Sequence, residues 1–367
     1  MVKFINKSAF CLSMSKYSTL IGAALAGLFL TLNEPQVVAK PVNPKITSTY
    51  VTSTYQNRTS DSPKYAIEGE AVTLHAIVEA EINGTKKLYG SPSTLEREIS
   101  LNGKKRKVER WPFTKPIRIE WYKIEPIKRW YDHTYGKWKS DPVQYAENSF
   151  ALGWETVADV HPLETEDQFK IVSTGLGIMR YKVKAVYNGT KASSTGSECV
   201  EAGGICKKVH RISYRPDEKK MGWAAYVFEL FNTPYIWGST SRQIDGQIGS
   251  DCADFVTYGW RRAGHKQTYT WSVGLKDYSS KINFVSSIDT QGYLLNEKGE
   301  RIIIGENGMQ VGDLLIYSRH AAVFISDKGR KGYLDANDLG AHTLFKEPKV
   351  EKVPSIFGLN FEIRRWK

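Results

Sequence analysis

The stretch "TPYIWGSTSRQIDGQIGSDCADFVTYGWRRAG", residues 233–264, joins a loop rich in glycine, serine and threonine to a helical pattern. Cys252 stands where the loop ends, at the first turn of the predicted helix, and Gly264 is a typical helix stop. A thiol at a helix N-terminus faces the positive end of the helix dipole, which favours the nucleophilic thiolate. The stretch therefore marks Cys252 as a candidate nucleophile, with a small buried structural residue as the alternative.

The cysteine count supports the interpretation of Cys252 as a nucleophile. The chain has four cysteines, and Cys11 falls in its N-terminal segment. Cys199 and Cys206 bracket a short loop, "ECVEAGGIC", and are predicted to form a disulfide in an oxidising compartment. Cys252 is then the odd thiol, which in an exported protein is either intermolecular or reactive.

The N-terminal segment has the pattern of a secretory signal peptide, predicted over residues 1–39. Three lysines precede the apolar run "LIGAALAGLFLTL", and small residues follow at an A-x-A-like exit. The run is shorter than the roughly 20 residues that span a bilayer, so a permanent anchor is the lesser alternative. We expect a secreted, periplasmic or cell-wall-associated protein with no integral membrane segment after cleavage.

Charge narrows the classes of partner. The formal net charge is +12, which attracts polyanions. The basic residues are spread along the chain and no nucleic-acid-binding motif accompanies them, which argues against a nucleic-acid partner. Peptidoglycan or other anionic wall polymers are the expected partners, and the sequence leaves the oligomeric state open.

The first half of the chain is predicted to be all β. Residues 40–62 are rich in proline, serine and threonine and indicate a linker; residues 63–197 contain several segments that alternate with a period of two. A tryptophan-bearing strand with Trp121 and a later strand opened by Tyr181 weakly resemble an immunoglobulin-like sandwich. Residues 198–214 form a second predicted linker, which carries the disulfide.

This half is also rich in tryptophan. Core packing is the favoured interpretation of these rings, and an exposed sugar-stacking platform is the alternative. The residues concerned are Trp111, Trp121, Trp130, Trp138 and Trp154.

Helical patterns precede strand patterns in residues 215–367, which indicates an α+β domain. A cysteine nucleophile needs a base and usually a third group that orients the base. His320 opens the apolar strand "HAAVFIS", and the next predicted strand, "GYLDAN", supplies Asp335, with Asn337 as the fallback. Neither His-Glu-x-x-His nor paired Cys-x-x-Cys occurs, so no metal or other cofactor is expected.

Five motifs in order, "PYIWGS", "SDCADFVTYGWRRAG", "VGDLLIY", "HAAVFIS" and "GYLDA", resemble those of the NlpC-type cell-wall cysteine peptidases. The resemblance covers roughly residues 215–365. It implies a papain-like α+β fold for residues 215–367, with a helix bundle packed on an antiparallel sheet. It also implies a role for each matching residue: Cys252 as nucleophile, His320 as base, Asp335 as orienting group, and Tyr235 and Asp251 as substrate-binding residues.

The sequence departs from the family pattern at three places. Ala253 and Asp254 replace a Ser-Gly pair, Ser239 replaces the second loop glycine, and Asp335 stands where histidine, asparagine or glutamine is usual. The resemblance implies a secreted cysteine endopeptidase that cleaves amide bonds in peptidoglycan stem peptides. An amidase or acyltransferase on another substrate, and an inert wall-binding module, are the alternatives.

Overall fold

The structure is a computed structural model that describes residues 44–94, 98–163 and 175–367. The predicted signal peptide, residues 1–39, lies outside the described residues. The described residues cluster as one compact unit.

Strands dominate the described part of the chain. They are, in order, β1 (Lys45–Tyr55), β2 (Arg58–Ser60), β3 (Lys64–Ile67), β4 (Thr73–Ile82), β5 (Thr85–Gly90), β6 (Ile99–Leu101), β7 (Lys104–Arg106), β8 (Glu109–Arg110), β9 (Arg118–Pro126), β10 (Trp130–Asp132), β11 (Tyr145–Leu152), β12 (Glu155–Val157), β13 (Gly177–Tyr187), β14 (Thr190–Ser193), β15 (Val200–Glu201), β16 (Gly204–Ile205), β17 (His210–Arg215), β18 (Tyr235–Trp237), β19 (Ser279–Val285), β20 (Ser287–Ile288), β21 (Leu294–Leu295), β22 (Leu314–Ile316), β23 (Ala321–Ser326), β24 (Leu339–His342), β25 (Lys349–Lys352) and β26 (Phe361–Trp366). The α-helices are α1 (Glu218–Met221), α2 (Ser241–Asp245), α3 (Cys252–Arg262) and α4 (Val353–Phe357). Short 3-10 segments cover Pro92–Thr94, Thr134–Lys139, Gly222–Leu230 and Val273–Tyr278.

Two sheets in the first half share a core. The first runs β7-β6-β2-β1-β4-β5-β8 with β12 beside β4, and the second runs β11-β9-β13-β17-β3 with β14 beside β13. Alternation in β13 turns Tyr181 and Val183 inward between outward lysines, and Trp121 of β9 lies opposite Val183. Trp121 is fully buried and its indole N–H donates to the carbonyl of Gly153 at 2.8 Å. The predicted all-β character of this half agrees with these sheets, while its immunoglobulin-like topology stays a prediction.

Both predicted linkers contain strands of these sheets. The segment 40–62 includes β1 and β2, because its alternating threonine, valine and tyrosine residues suit a half-buried strand. The segment 198–214 includes β15, β16 and most of β17, whose residues His210 to Tyr214 are buried. Within it, Cys199 and Cys206 form the predicted disulfide, and Cys252 is free and buried.

The second half is built around a third sheet, ordered β19-β26-β22-β23-β24-β25. The helix α3 packs against β23, where Phe255 and Val256 share a core with Ala321 and Val323. The opposite side of β23 buries Ala322 and Phe324 in a second core. This sheet therefore positions the N-terminus of α3 beside the start of β23.

The prediction of a papain-like helix bundle packed on a sheet is wrong. The described part of the protein is mostly β, with 44% strand and 16% helix. In the described ranges α3 is the one α-helix longer than five residues, since the helix predicted before the loop divides at Gly222. Gly222 has a φ of 55°, which ends α1, and the residues after it continue as a 3-10 segment.

No helix within the described ranges has both the length and the apolar character needed to cross a bilayer.

Candidate active site

The start of α3 is organised by Asp251. Its carboxylate accepts hydrogen bonds from the backbone N–H groups of Ala253 and Asp254, both at 2.9 Å, which is an N-cap. This cap fixes Cys252 as the first residue of the helix. Burial raises the pKa of the Asp251 carboxyl to about 6, against the lowering effect of the two N–H donors.

Cys252 does not have the thiolate character that its helix position suggests. The side chain is buried, and burial followed by the negative charge of Asp251 raises the pKa of the thiol to about 12. The backbone N–H of Ala321 acts in the opposite direction by donating to the sulfur. The helix dipole is therefore outweighed, and Cys252 is a neutral thiol at neutral pH.

The interaction with Ala321 places the sulfur beside the start of β23, next to His320. The His320 ring is fully buried and stacks on Tyr317, with ring centroids 5.8 Å apart. Its Nδ1 atom has no hydrogen-bond partner in the described part of the chain, the Cys252 thiol included. Catalytic hydrogen bonds are often long in unliganded enzymes, so the lack of a partner at Nδ1 does not exclude His320 as a general base.

The other nitrogen of His320 begins a chain of hydrogen bonds. Its Nε2 lies 3.0 Å from Nδ1 of His342, and Nε2 of His342 lies 3.0 Å from a carboxylate oxygen of Glu351. The ammonium of Lys349 also contacts Glu351. Burial would raise the pKa of Glu351, but hydrogen bonds from His342 and Lys349 lower it to about 2, so the carboxylate is ionised.

These hydrogen bonds determine which imidazole nitrogens carry protons. Burial lowers the pKa of both imidazoles, and that of His320 lies well below its usual range, so both rings are neutral. Glu351 only accepts, so Nε2 of His342 carries a proton and its Nδ1 is an acceptor. His320 must then donate through Nε2, which leaves a lone pair on its Nδ1. The relay His320–His342–Glu351 therefore holds His320 in the tautomer of a general base.

Asp335 does not occupy the orienting place that was predicted for it. Its carboxylate accepts hydrogen bonds from the backbone N–H groups of Arg330 and Asn337, each at 2.7 Å, and organises a turn. The segment "GYLDAN" is a loop and the strand begins at Leu339, so the residue that faces His320 comes later in the chain. The fallback Asn337 accepts from the ammonium of Lys352 at 2.9 Å.

His342 and Glu351 are the residues that sequence reasoning missed. They lie on the adjacent strands β24 and β25. A signal for His342 was present in the resemblance itself, because histidine is a usual third residue in that family and "LGAH" directly follows the aspartate-rich turn.

Tyr235 lies close to Cys252 and Asp251, and its role as a substrate-binding residue stays a prediction. The side chain is buried and its hydroxyl has no hydrogen-bond partner within the described ranges. Burial raises the pKa of the Tyr235 phenol, and the neighbouring acidic groups of Cys252 and Asp251 raise it further. The phenol therefore remains protonated and able to donate close to the sulfur.

Two of the departures from the family pattern contact each other. The hydroxyl of Ser239 donates to the buried carboxylate of Asp254 at 2.5 Å and accepts from the backbone N–H of Asp251 at 3.1 Å. Burial and the charge of Asp251 raise the pKa of the Asp254 carboxyl. The pair thus ties the loop before Cys252 to the first turn of α3, where the family pattern has glycines.

Within the described ranges, no three His, Cys, Asp or Glu side chains converge as a metal site would require. No protein-family model, curated protein or solved structure matches this chain.

Proposed function

We propose that this protein is a thiol hydrolase that cleaves amide bonds in the stem peptides of peptidoglycan. The observation that carries the proposal is the relay His320–His342–Glu351, which leaves an unprotonated, unpartnered Nδ1 beside the segment that contacts Cys252. The five ordered motifs support the same chemistry, and Cys252 remains free while Cys199 and Cys206 pair with each other.

The reaction starts from a neutral thiol and a neutral imidazole. Nδ1 of His320 takes the thiol proton as the sulfur of Cys252 attacks the amide carbonyl carbon. The resulting imidazolium is stabilised through His342 by the anionic Glu351. The Tyr235 hydroxyl and the backbone N–H of Cys252 donate to the carbonyl oxygen as it becomes an oxyanion.

The tetrahedral intermediate collapses when the carbon–nitrogen bond breaks and His320 gives its proton to the leaving amine. A thioester on Cys252 and a free amine result. A water molecule, deprotonated by His320, then attacks the thioester carbonyl. The carbon–sulfur bond breaks, and the products are a carboxylic acid and the regenerated thiol.

The substrate assignment is supported by the resemblance and by the net positive charge, which attracts wall polymers and persists without residues 1–39. The proposed location is outside the cytoplasm. Another amide or ester substrate is the second candidate, because Ser239 and Asp254 replace the two glycines of the family pattern beside the nucleophile.

Mass spectrometry of muropeptides incubated with the protein tests the proposal. We expect cleaved stem peptides with the wild type and none with Cys252→Ala. His342→Ala should lower the rate by about 10²–10⁴-fold, the usual contribution of general-base catalysis. Asn337→Ala, which lies outside the relay, is the matched control and should cleave at the wild-type rate. Identical digests from the wild type and Cys252→Ala would overturn the proposal.

A further inference from the structure

Three exposed aromatic rings form a patch next to the site. Trp130 of β10, Trp237 of β18 and Phe345, in the loop between β24 and β25, are 43%, 47% and 55% exposed. The ring centroids of Trp237 and Phe345 are 6.3 Å apart with planes 24° from parallel, and Trp130 lies 6.3 Å from Phe345. We call these three rings the aromatic platform. These three side chains belong to none of the hydrophobic clusters of the described residues.

Two paired strands and one loop position the platform. β10 and β18 pair in parallel, with Trp130 opposite Tyr235. Alternation sends Tyr131 and Ile236 into a buried cluster, so Trp130 and Trp237 occupy the other face. Phe345 has a φ of 51°, a left-handed conformation that costs about 1–3 kcal/mol for a residue other than glycine.

The platform is continuous with the site. The ring centroid of Phe345 lies 5.3 Å from that of Tyr235, whose phenol is close to the Cys252 sulfur. Phe345 therefore connects the exposed platform to the buried ring of Tyr235 beside Cys252.

A carboxylate at the edge of the aromatic platform indicates which class of ligand the platform binds. Asp132, opposite Trp237 in the β10–β18 register, accepts hydrogen bonds from Lys137 and Thr134, and these lower the pKa of its carboxyl to about 2. A fixed carboxylate beside flat rings suits a pyranose, whose C–H face packs on aromatic rings while its hydroxyls donate to oxygen. The ion pair of Asp132 with Lys137 at 2.7 Å disfavours a cationic ligand. A purely apolar partner would desolvate the carboxylate at a cost.

We propose that the aromatic platform is a carbohydrate subsite, which holds the sugar attached to the peptide bound at Cys252. The inference rests on the proposed function for the identity of that peptide. It specifies the substrate as a sugar-bearing stem peptide rather than a free peptide.

Calorimetric titration of the full chain carrying Cys252→Ala tests this subsite without turnover. The probes are a disaccharide tetrapeptide and the same tetrapeptide without sugar. We expect the sugar-bearing probe to bind about tenfold more tightly. Adding Trp237→Ala should abolish that preference, while adding Trp271→Ala, which removes an equally large ring that is 69% exposed and lies outside the platform, should preserve it.

Equal affinities for the two probes, or a preference that survives Trp237→Ala, would overturn the carbohydrate subsite. Failure of the proposed function looks different. In that case the protein with Cys252 intact leaves both probes uncut, whatever the binding titration gives.

Discussion

The substitution Asp251→Asn separates the two causes that keep the Cys252 thiol protonated. Burial and the Asp251 charge, in that order, raise its pKa from 9.0 to about 12, which corresponds to about 4 kcal/mol against the thiolate. The asparagine side chain would keep an oxygen that caps α3, since asparagine and aspartate are similarly good N-caps. The charge is removed and the helix start is retained.

The expected shift follows from Coulomb's law. At an effective dielectric constant of about 20, a unit charge at a distance of roughly 6–8 Å contributes about 2–3 kcal/mol. Part of that charge is already dispersed into two N–H donors, so we expect the thiol pKa to fall by about 1–2 in Asp251→Asn. The sign is a decrease, because removing a nearby negative charge favours the thiolate.

Iodoacetamide labelling across pH, read by mass spectrometry of the peptide that contains Cys252, measures this pKa. The thiolate population at pH 8 should rise about 10–100-fold, while the labelling rate should rise only about 3–16-fold, because nucleophilicity falls with pKa. Asp245→Asn is the matched control, an exposed carboxylate on α2 that does not perturb the thiol.

An unchanged labelling midpoint in Asp251→Asn would refute this account of the site. A wild-type midpoint near 9 would refute it as well, since burial would then have no effect on the thiol.

Three further predictions concern stability. The pKa of Glu351 is depressed, so its hydrogen bond with His342 stabilises the fold fully above pH 4.5 and this contribution is lost as pH falls toward about 2. Because solvent screens this partly exposed carboxylate, urea titrations should show that Glu351→Gln lowers the free energy of unfolding by about 1 kcal/mol at pH 7 and by little at pH 2. Glu229 is buried and paired with Arg262 at 2.7 Å, so Glu229→Gln should lower the free energy of unfolding by about 3–5 kcal/mol; a loss below about 1 kcal/mol would contradict the pairing. Trp121→Ala should cost about 3–5 kcal/mol in the same assay because the ring is fully buried, and a cost within experimental error would place it outside the core.

Local patterns in the sequence predicted local features well. The helix from Cys252 and the disulfide between Cys199 and Cys206 each depend on neighbouring residues, and each is present. Asp251 was predicted only as a substrate-binding residue, and its place as the N-cap of that helix is a finding of the structure. The alternating pattern around Trp121 likewise predicted a buried strand, because a period of two directly reports which face is inward.

Features set by contacts distant in sequence were not predictable in the same way. The thiol pKa is raised first by burial, which depends on elements far along the chain such as β23, and then by the charge of Asp251, so the helix dipole does not decide it. The relay partner His342 was missed because the segment "GYLDAN" was predicted to be the strand beside His320, whereas it is a loop that precedes β24. Only the pairing of β23 with β24 shows which residue contacts His320. The predicted helix bundle failed because a single glycine, Gly222, divides an otherwise helical pattern.

The short parallel pairing of β10 with β18 has an evolutionary consequence. It joins the two halves of the sequence through main-chain hydrogen bonds, and it seals Tyr131 and Ile236 from water. A gene fusion that replaced the first half with an unrelated module would leave the edge of β18 unpaired and the apolar surface around Ile236 exposed to water. Lineages of this protein should therefore inherit both halves together, and homologues with a shuffled N-terminal module should carry a replacement strand against residues 235–237.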